Sequence, residues 1–140
     1  MTQLWAIFNP AGAMTLRYTH SLADHPSAVG HAAECLGCVV HALSREPELV
    51  WGEQVNPATG QITYVGGAAL EHLVQTVKDK AWEAIELIAP DWRQLNDLRQ
   101  PSAAGSLRFT QIDTIRTASN VKEGQLRLAT SAASLKVAYA

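Results

Sequence analysis

Four side chains able to bind metal or carry redox chemistry fall close together: His31, Cys35, Cys38 and His41. Zinc takes imidazole nitrogen and thiolate sulfur in a tetrahedral shell at about 2.0–2.3 Å. The spacing weighs against such a shell. On one helix the four groups spread along about 15 Å of axis, at about 1.5 Å per residue. On one strand Cys38 points away from Cys35 and His41. A knuckle at Leu36-Gly37 brings the thiols together, but the histidines must then fold back. The four are weak metal candidates, and buried thiols beside surface histidines are the default. Cys35-Leu36-Gly37-Cys38 also has the spacing of a redox pair. That chemistry wants its first thiol at a helix N-terminus within a βαβ unit, and no such unit precedes it. No metal or cofactor is expected.

Other chemistry is equally thin. No Gly-x-Ser-x-Gly elbow is present. Glu83 with Glu86, and Asp91 with Asp97, fall on predicted helix faces, where exposed charge is the default. Asn56-Pro57-Ala58-Thr59-Gly60 lacks the Gly-rich, Lys-bearing pattern of a phosphate loop and precedes a strand. It reads as a turn. The chain is not expected to be an enzyme.

The elements that must position any site come next. A chain of 140 residues fits one domain, or a small domain with a helical appendage. Hydrophobic residues make up 47%, but many are alanines, which favour helix and bury little area. The core is therefore expected to be thin, with a partner subunit supplying burial. A net charge of −2 and only 11 scattered Lys and Arg exclude a nucleic-acid surface, which needs a basic patch to displace counterions. No run approaches the ~18 apolar residues of a membrane span. The start, residues 1–12, lacks the basic region of a signal peptide. Synthesis and folding in a cytoplasm, with reduced thiols, are expected.

Gln3 to Phe8 alternates as a strand, with Leu4, Ala6 and Phe8 on one face and Trp5 and Ile7 on the other. Asn9-Pro10-Ala11-Gly12 is a turn tetrad, and Thr15 to His20 returns as a second strand. Residues 21–44 are ambiguous. Ser27 to Ala33 fits a short helix or a loop, and Cys35 to Ala42 fits a buried strand. Leu49 to Val55 and Gln61 to Val65 flank the Asn56–Gly60 turn. The outcome is a small β-meander over residues 1–66, which must bury one face on something else.

From Ala68 the period becomes helical. Leu70, Leu73, Val74, Val77, Ala81, Ile85 and Ile88 form one stripe. Pro90 interrupts it, and Trp92, Leu95 and Leu98 continue the stripe to about Arg99. A loop is expected over Pro101 to Gly105 and a helix from about Ser106, carrying Phe109, Ile112, Ile115 and Ala118. Short connections place such helices antiparallel. Residues 121–140 either extend the helix, frayed at Gly124, or end in an extended arm. The fold class expected is α+β: a small antiparallel sheet, then a helical hairpin in residues 67–140.

Residues 88–120 also carry distinctive wording. Pro90, Trp92, Arg93, Gln94 and Asn96 precede the loop. Phe109, Ile112, Asp113, Ile115, Arg116, Ala118, Ser119 and Asn120 follow it. This stretch resembles the C-terminal segment of small proteins from the tail and tail-fibre modules of bacteriophages and prophages, and Val55 to Ile62 loosely resembles a hairpin in the same group. After Asn120 the chain departs from the pattern, since Val121-Lys122-Glu123-Gly124 replaces a longer acidic, Ala-rich helix. The resemblance implies a non-enzymatic structural component of a phage tail, near the fibre or baseplate, made in the host cytoplasm and located in the virion. Its partners would be other tail or fibre proteins and further copies of itself. The alternative is a tail-fibre assembly chaperone that leaves the particle; a small metal-binding module is the remote third. The helical hairpin would dock, with Trp82, Trp92, Leu95, Phe109, Ile112 and Ile115 as candidate anchors. Tryptophans and other large apolar residues concentrate at interaction hot spots or in cores, and core is the default for each of the four tryptophans. Arg93, Gln94, Asn96, Asp113, Arg116 and Asn120 could tie the two helices by a polar network.

Overall fold

The computed structural model describes residues 2–19 and 37–140. The fold is α+β, and the chain divides into two compact units, residues 1–65 and 66–140.

In the first unit, β1 (Gln3–Phe8) and β2 (Met14–Thr19) form an antiparallel hairpin, with Phe8 opposite Met14 and Gln3 opposite Thr19. Asn9 closes the turn in three ways. Its carbonyl accepts from the Gly12 amide at 2.9 Å, its side-chain Oδ1 accepts from the Ala13 amide at 2.9 Å, and its own amide donates to the Ala13 carbonyl at 3.0 Å. The third strand, β3 (Val39–Leu43), pairs antiparallel with the free edge of β1, and the order is β2-β1-β3. A meander would have placed β3 beside β2. The composition of β1 explains the difference. Leu4 through Phe8 are apolar on both faces and all buried, as a central strand requires, whereas β2 carries exposed Thr15, Arg17 and Tyr18 and suits an edge. Leu4, Ala6 and Phe8 pack with Leu43 and Val55. On the opposite face Trp5 and Ile7 pack with Cys38 and Val40. The Trp5 indole N–H donates to the Thr19 hydroxyl at 2.8 Å, which satisfies a group that would be costly to bury unpaired.

The expected strand from Leu49 to Val55 is only half a strand. Leu49–Trp51 forms a single 3-10 turn, Gly52 exits it with φ +88°, and β4 is confined to Glu53–Val55. The Glu53 carboxylate organises this corner. It accepts from Arg45 through both guanidinium ends at 2.7 Å and from the Glu48 amide at 2.9 Å. β4 pairs with β5 (Ile62–Tyr64) across the Asn56–Gly60 turn, Val55 opposite Ile62. There Asn56 Oδ1 accepts from the Ala58 amide at 2.8 Å, and Gly60 adopts φ +76°. Among the described residues the sheets are therefore of three and two strands.

The second unit holds four helices: α1 (Gly67–Ile88), α2 (Asp91–Arg99), α3 (Ala103–Arg127) and α4 (Ala132–Tyr139). α1 and α3 pack together. They run antiparallel, because Glu71 meets Arg127 near one end while Ile85 and Ala89 meet Ile112 near the other. The predicted stripe of α1 supplies buried Leu73, Val74 and Ile85. Ala89 is extended, as a residue before proline prefers, and it ends α1.

Two expectations fail in α3. The helix begins at Ala103, not near Ser106, because the Ser102 hydroxyl caps it by accepting from the Gly105 amide at 3.0 Å. At its far end the helix runs straight through Gly124 to Arg127. Leu126 is fully buried beyond the glycine, and Arg127 bonds both Glu123 and Glu71. Those contacts outweigh a glycine cost of about 1 kcal/mol. The tail thus extends α3 as far as Arg127, and beyond a short turn it ends in a separate helix instead of an extended arm. Ser131 and Ser134 form a reciprocal capping box that starts α4. Ala132 and Leu135 are buried there, and Lys122 Nζ donates to the Ala140 carbonyl, which lays α4 back along α3.

Candidate interaction surface

The two metal candidates within the described residues, Cys38 and His41, lie apart. His31 and Cys35 lie outside the described residues. Cys38 packs with Trp5 and Ile7, whereas the His41 ring stands edge-on to Phe8 at 6.3 Å on the opposite face of β1. His41 Nε2 is 2.7 Å from the Pro57 carbonyl oxygen and bonds it. His41 thus anchors the Asn56–Gly60 turn. Among the described residues no three His, Cys, Asp or Glu side chains group as metal ligands.

Of the helix carboxylates, Glu83 and Asp91 are exposed as expected, and Asp97 departs. Asp97, expected to be solvated, is 5% exposed. It accepts from Arg108 Nε at 2.7 Å and Nη2 at 2.6 Å, a bidentate pair joining α2 to α3. These hydrogen bonds hold the Asp97 carboxyl below its ordinary pKa against the opposing effect of desolvation, and the charges of Arg108 and Arg93 add to the lowering. Gly105 permits the approach, since a Cβ there would lie 3.2 Å from the Asp97 side chain. This pair, and not the expected network, ties the helices. Gln94 donates to the Ala89 carbonyl at 2.8 Å and Arg93 lies over the Trp92 ring at 4.6 Å.

Burying Asp97 turns α2 inside out. Trp92, Leu95 and Leu98 are 63%, 53% and 67% exposed. They do not continue the core stripe of α1. Pro90 resets the helical phase, and the Asp97–Arg108 pair fixes the new one.

The six candidate anchors therefore divide. Trp82, Trp92 and Leu95 are exposed, and Phe109 and Ile115 are half-buried. Ile112 is 1% exposed, in the core formed by Ile85 and Ala89, with Ile88 and Ile115 against it. Ile112 is unavailable as an anchor in the folded chain. Leu98 belongs to the exposed set and was not among the candidates; its place one turn beyond Leu95 was the available signal. Core, the default for the tryptophans, holds for Trp5 at 6% exposed and fails for Trp82 and Trp92.

Trp82 borders a second feature, an open groove of about 230 Å³ between α1 and α3. Ala81 and Ile85 give it an apolar side. Lys78, Trp82, Arg116, Ser119 and Asn120 complete the lining. Lys78 is shared with Glu123 at 3.4 Å. The side chains of Arg116, Ser119 and Asn120 make no hydrogen bond or ion pair with the described residues.

No protein-family model matches the chain, and no curated protein or solved structure matches it.

Proposed function

We propose that the chain is a non-enzymatic component of a phage tail, in the fibre or baseplate region, acting through protein–protein contacts. The supporting observation is the exposed row Trp92-Leu95-Leu98 on a helix that buries an aspartate instead. Single exposed apolar residues need no explanation, but a contiguous row of large ones marks a surface meant to be covered. The row lies inside the stretch that resembles phage tail-module proteins, and this supplies the setting. Other tail or fibre proteins and further copies of the chain are the partners.

Mass spectrometry of density-purified virions from the encoding phage or prophage tests the proposal. The expected result is the chain at fixed stoichiometry with the tail proteins. Abundance in the lysate with absence from the particle would overturn it and favour the assembly-chaperone alternative.

A further inference from the structure

The exposed row of α2 begins with a carboxylate, and the α1–α3 groove is lined in part by the cationic Lys78 and Arg116. That carboxylate, Asp91, is exposed and makes no ion pair or hydrogen bond with the described residues. Trp92, Leu95 and Leu98 follow it along one side of the helix. The groove offers the converse: an apolar wall at Ala81 and Ile85, a half-exposed indole at Trp82, and the unpaired Arg116 guanidinium at its rim. Asp113 lies one turn before Arg116 on α3, yet forms no salt bridge with it. A carboxylate at the head of an apolar row is the partner such a rim selects.

Within one chain the two features do not meet. Trp82 is 55% exposed and Trp92 63% exposed, and both belong to the same compact unit. We infer that α2 of one copy seats in the α1–α3 groove of a second copy, with Asp91 against Arg116 and the Trp92 row against Trp82 and Ala81. The inference rests on the protein-contact reading above and names the surfaces through which copies pair.

Area supports a second copy as the occupant. Trp92, Leu95 and Leu98 at their stated exposures hold roughly 400 Å² of accessible surface, and Trp82 roughly 150 Å² more. A reciprocal pair covers each twice and removes on the order of 1,100 Å², which clears the roughly 1,000 Å² expected of a biological interface and corresponds to a weak, reversible dimer. Donor and acceptor are different patches, so exchange about a two-fold axis closes the assembly without leaving an unfilled groove. The apolar row supplies the attraction. The Asp91–Arg116 pair, at the rim, sets register and discriminates against other partners.

Sedimentation velocity of the full chain, from nanomolar to high micromolar concentration, provides the test. Four variants are compared with the parent chain: Asp91→Arg, Arg116→Asp, the double reversal, and Leu95→Asp. All three positions are exposed, and far-UV circular dichroism verifies the helices of each variant. The parent is expected to dimerise with rising concentration. Each single reversal and Leu95→Asp should weaken dimerisation by about tenfold or more, and the double reversal should return it to within about threefold of the parent. A parent that stays monomeric throughout overturns the inference and the self-association part of the functional proposal together. A dimer indifferent to both reversals and to Leu95→Asp overturns only the inferred seat. Weakened singles without rescue in the double variant overturn the Asp91–Arg116 register.

Discussion

Replacing Ile112 by alanine separates a core residue from an anchor. Ile112 is 1% exposed and packs on Ile85 and Ala89, from the facing helix and its end. At the far end the α1–α3 pair is joined by the exposed Arg127–Glu71 pair at 2.7 Å, which adds little stability of its own. Large-to-small substitutions at such sites cost about 2–5 kcal/mol, more when the site resists collapse. The expected loss is thus about 3–4 kcal/mol, a large share of the stability a unit of this size commands. It should lower the Tm of the helical transition by roughly 15–25 °C. Leu87→Ala is the control, because Leu87 is 89% exposed. It should stay within about 0.5 kcal/mol of the parent. Chemical denaturation of both variants, followed by far-UV circular dichroism, gives the comparison. A cost below about 1 kcal/mol for Ile112→Ala, or an equal cost for Leu87→Ala, would refute the placement of the core.

Three further outcomes are expected. Ser102→Ala should lose about 1 kcal/mol through the missing α3 cap, with faster hydrogen exchange at the Gly105 amide, whose acceptor it removes. Gly60→Ala should destabilise the sheet unit by about 1–3 kcal/mol, since its φ is +76° and the new Cβ would lie 2.6 Å from His41 Cβ; a double-mutant cycle with His41→Gly, which removes that Cβ, should recover the steric part only, and full additivity would exclude the clash. Asp97 has a folded-state pKa below its ordinary value of 3.8. Its contribution is therefore fully present above that value and is lost as pH falls through the lower folded value. Asp97→Asn should flatten that part of the acid-unfolding curve, and an unchanged pH profile would remove Asp97 from the account.

Local chemistry was legible in the sequence where a few adjacent residues decide the outcome. Asn9-Pro10-Ala11-Gly12 and Asn56–Gly60 fold as turns because Asn side chains and glycines meet the demands of the turn by themselves. The α1 stripe was legible because one long period faces one core. What could not be read depends on partners distant in the chain. β3 chooses the free edge of β1 because β1 is apolar on both faces, a fact of pairing and not of spacing. The orientation of α2 follows from Asp97 meeting Arg108, across the Pro101 loop. Before that bond is known, Trp92, Leu95 and Leu98 look like core. The set of candidate anchors includes Trp82, Trp92 and Leu95, which the fold leaves exposed. It misplaced Ile112, because spacing alone shows that Phe109, Ile112 and Ile115 share a side of α3 without showing how deep each lies.

The position of β1 carries a cost in chain entropy. Its pairing with β2 closes only the short turn after Phe8, whereas its pairing with β3 brings Phe8 beside Val39. Closing the longer loop costs more conformational freedom, by about 0.6 kcal/mol for each doubling of length. The β1–β3 ladder must repay that debt from burial of Leu43, Val40 and their neighbours. A covalent link bridging the two strands would relieve it by restricting the unfolded chain, without adding any native contact.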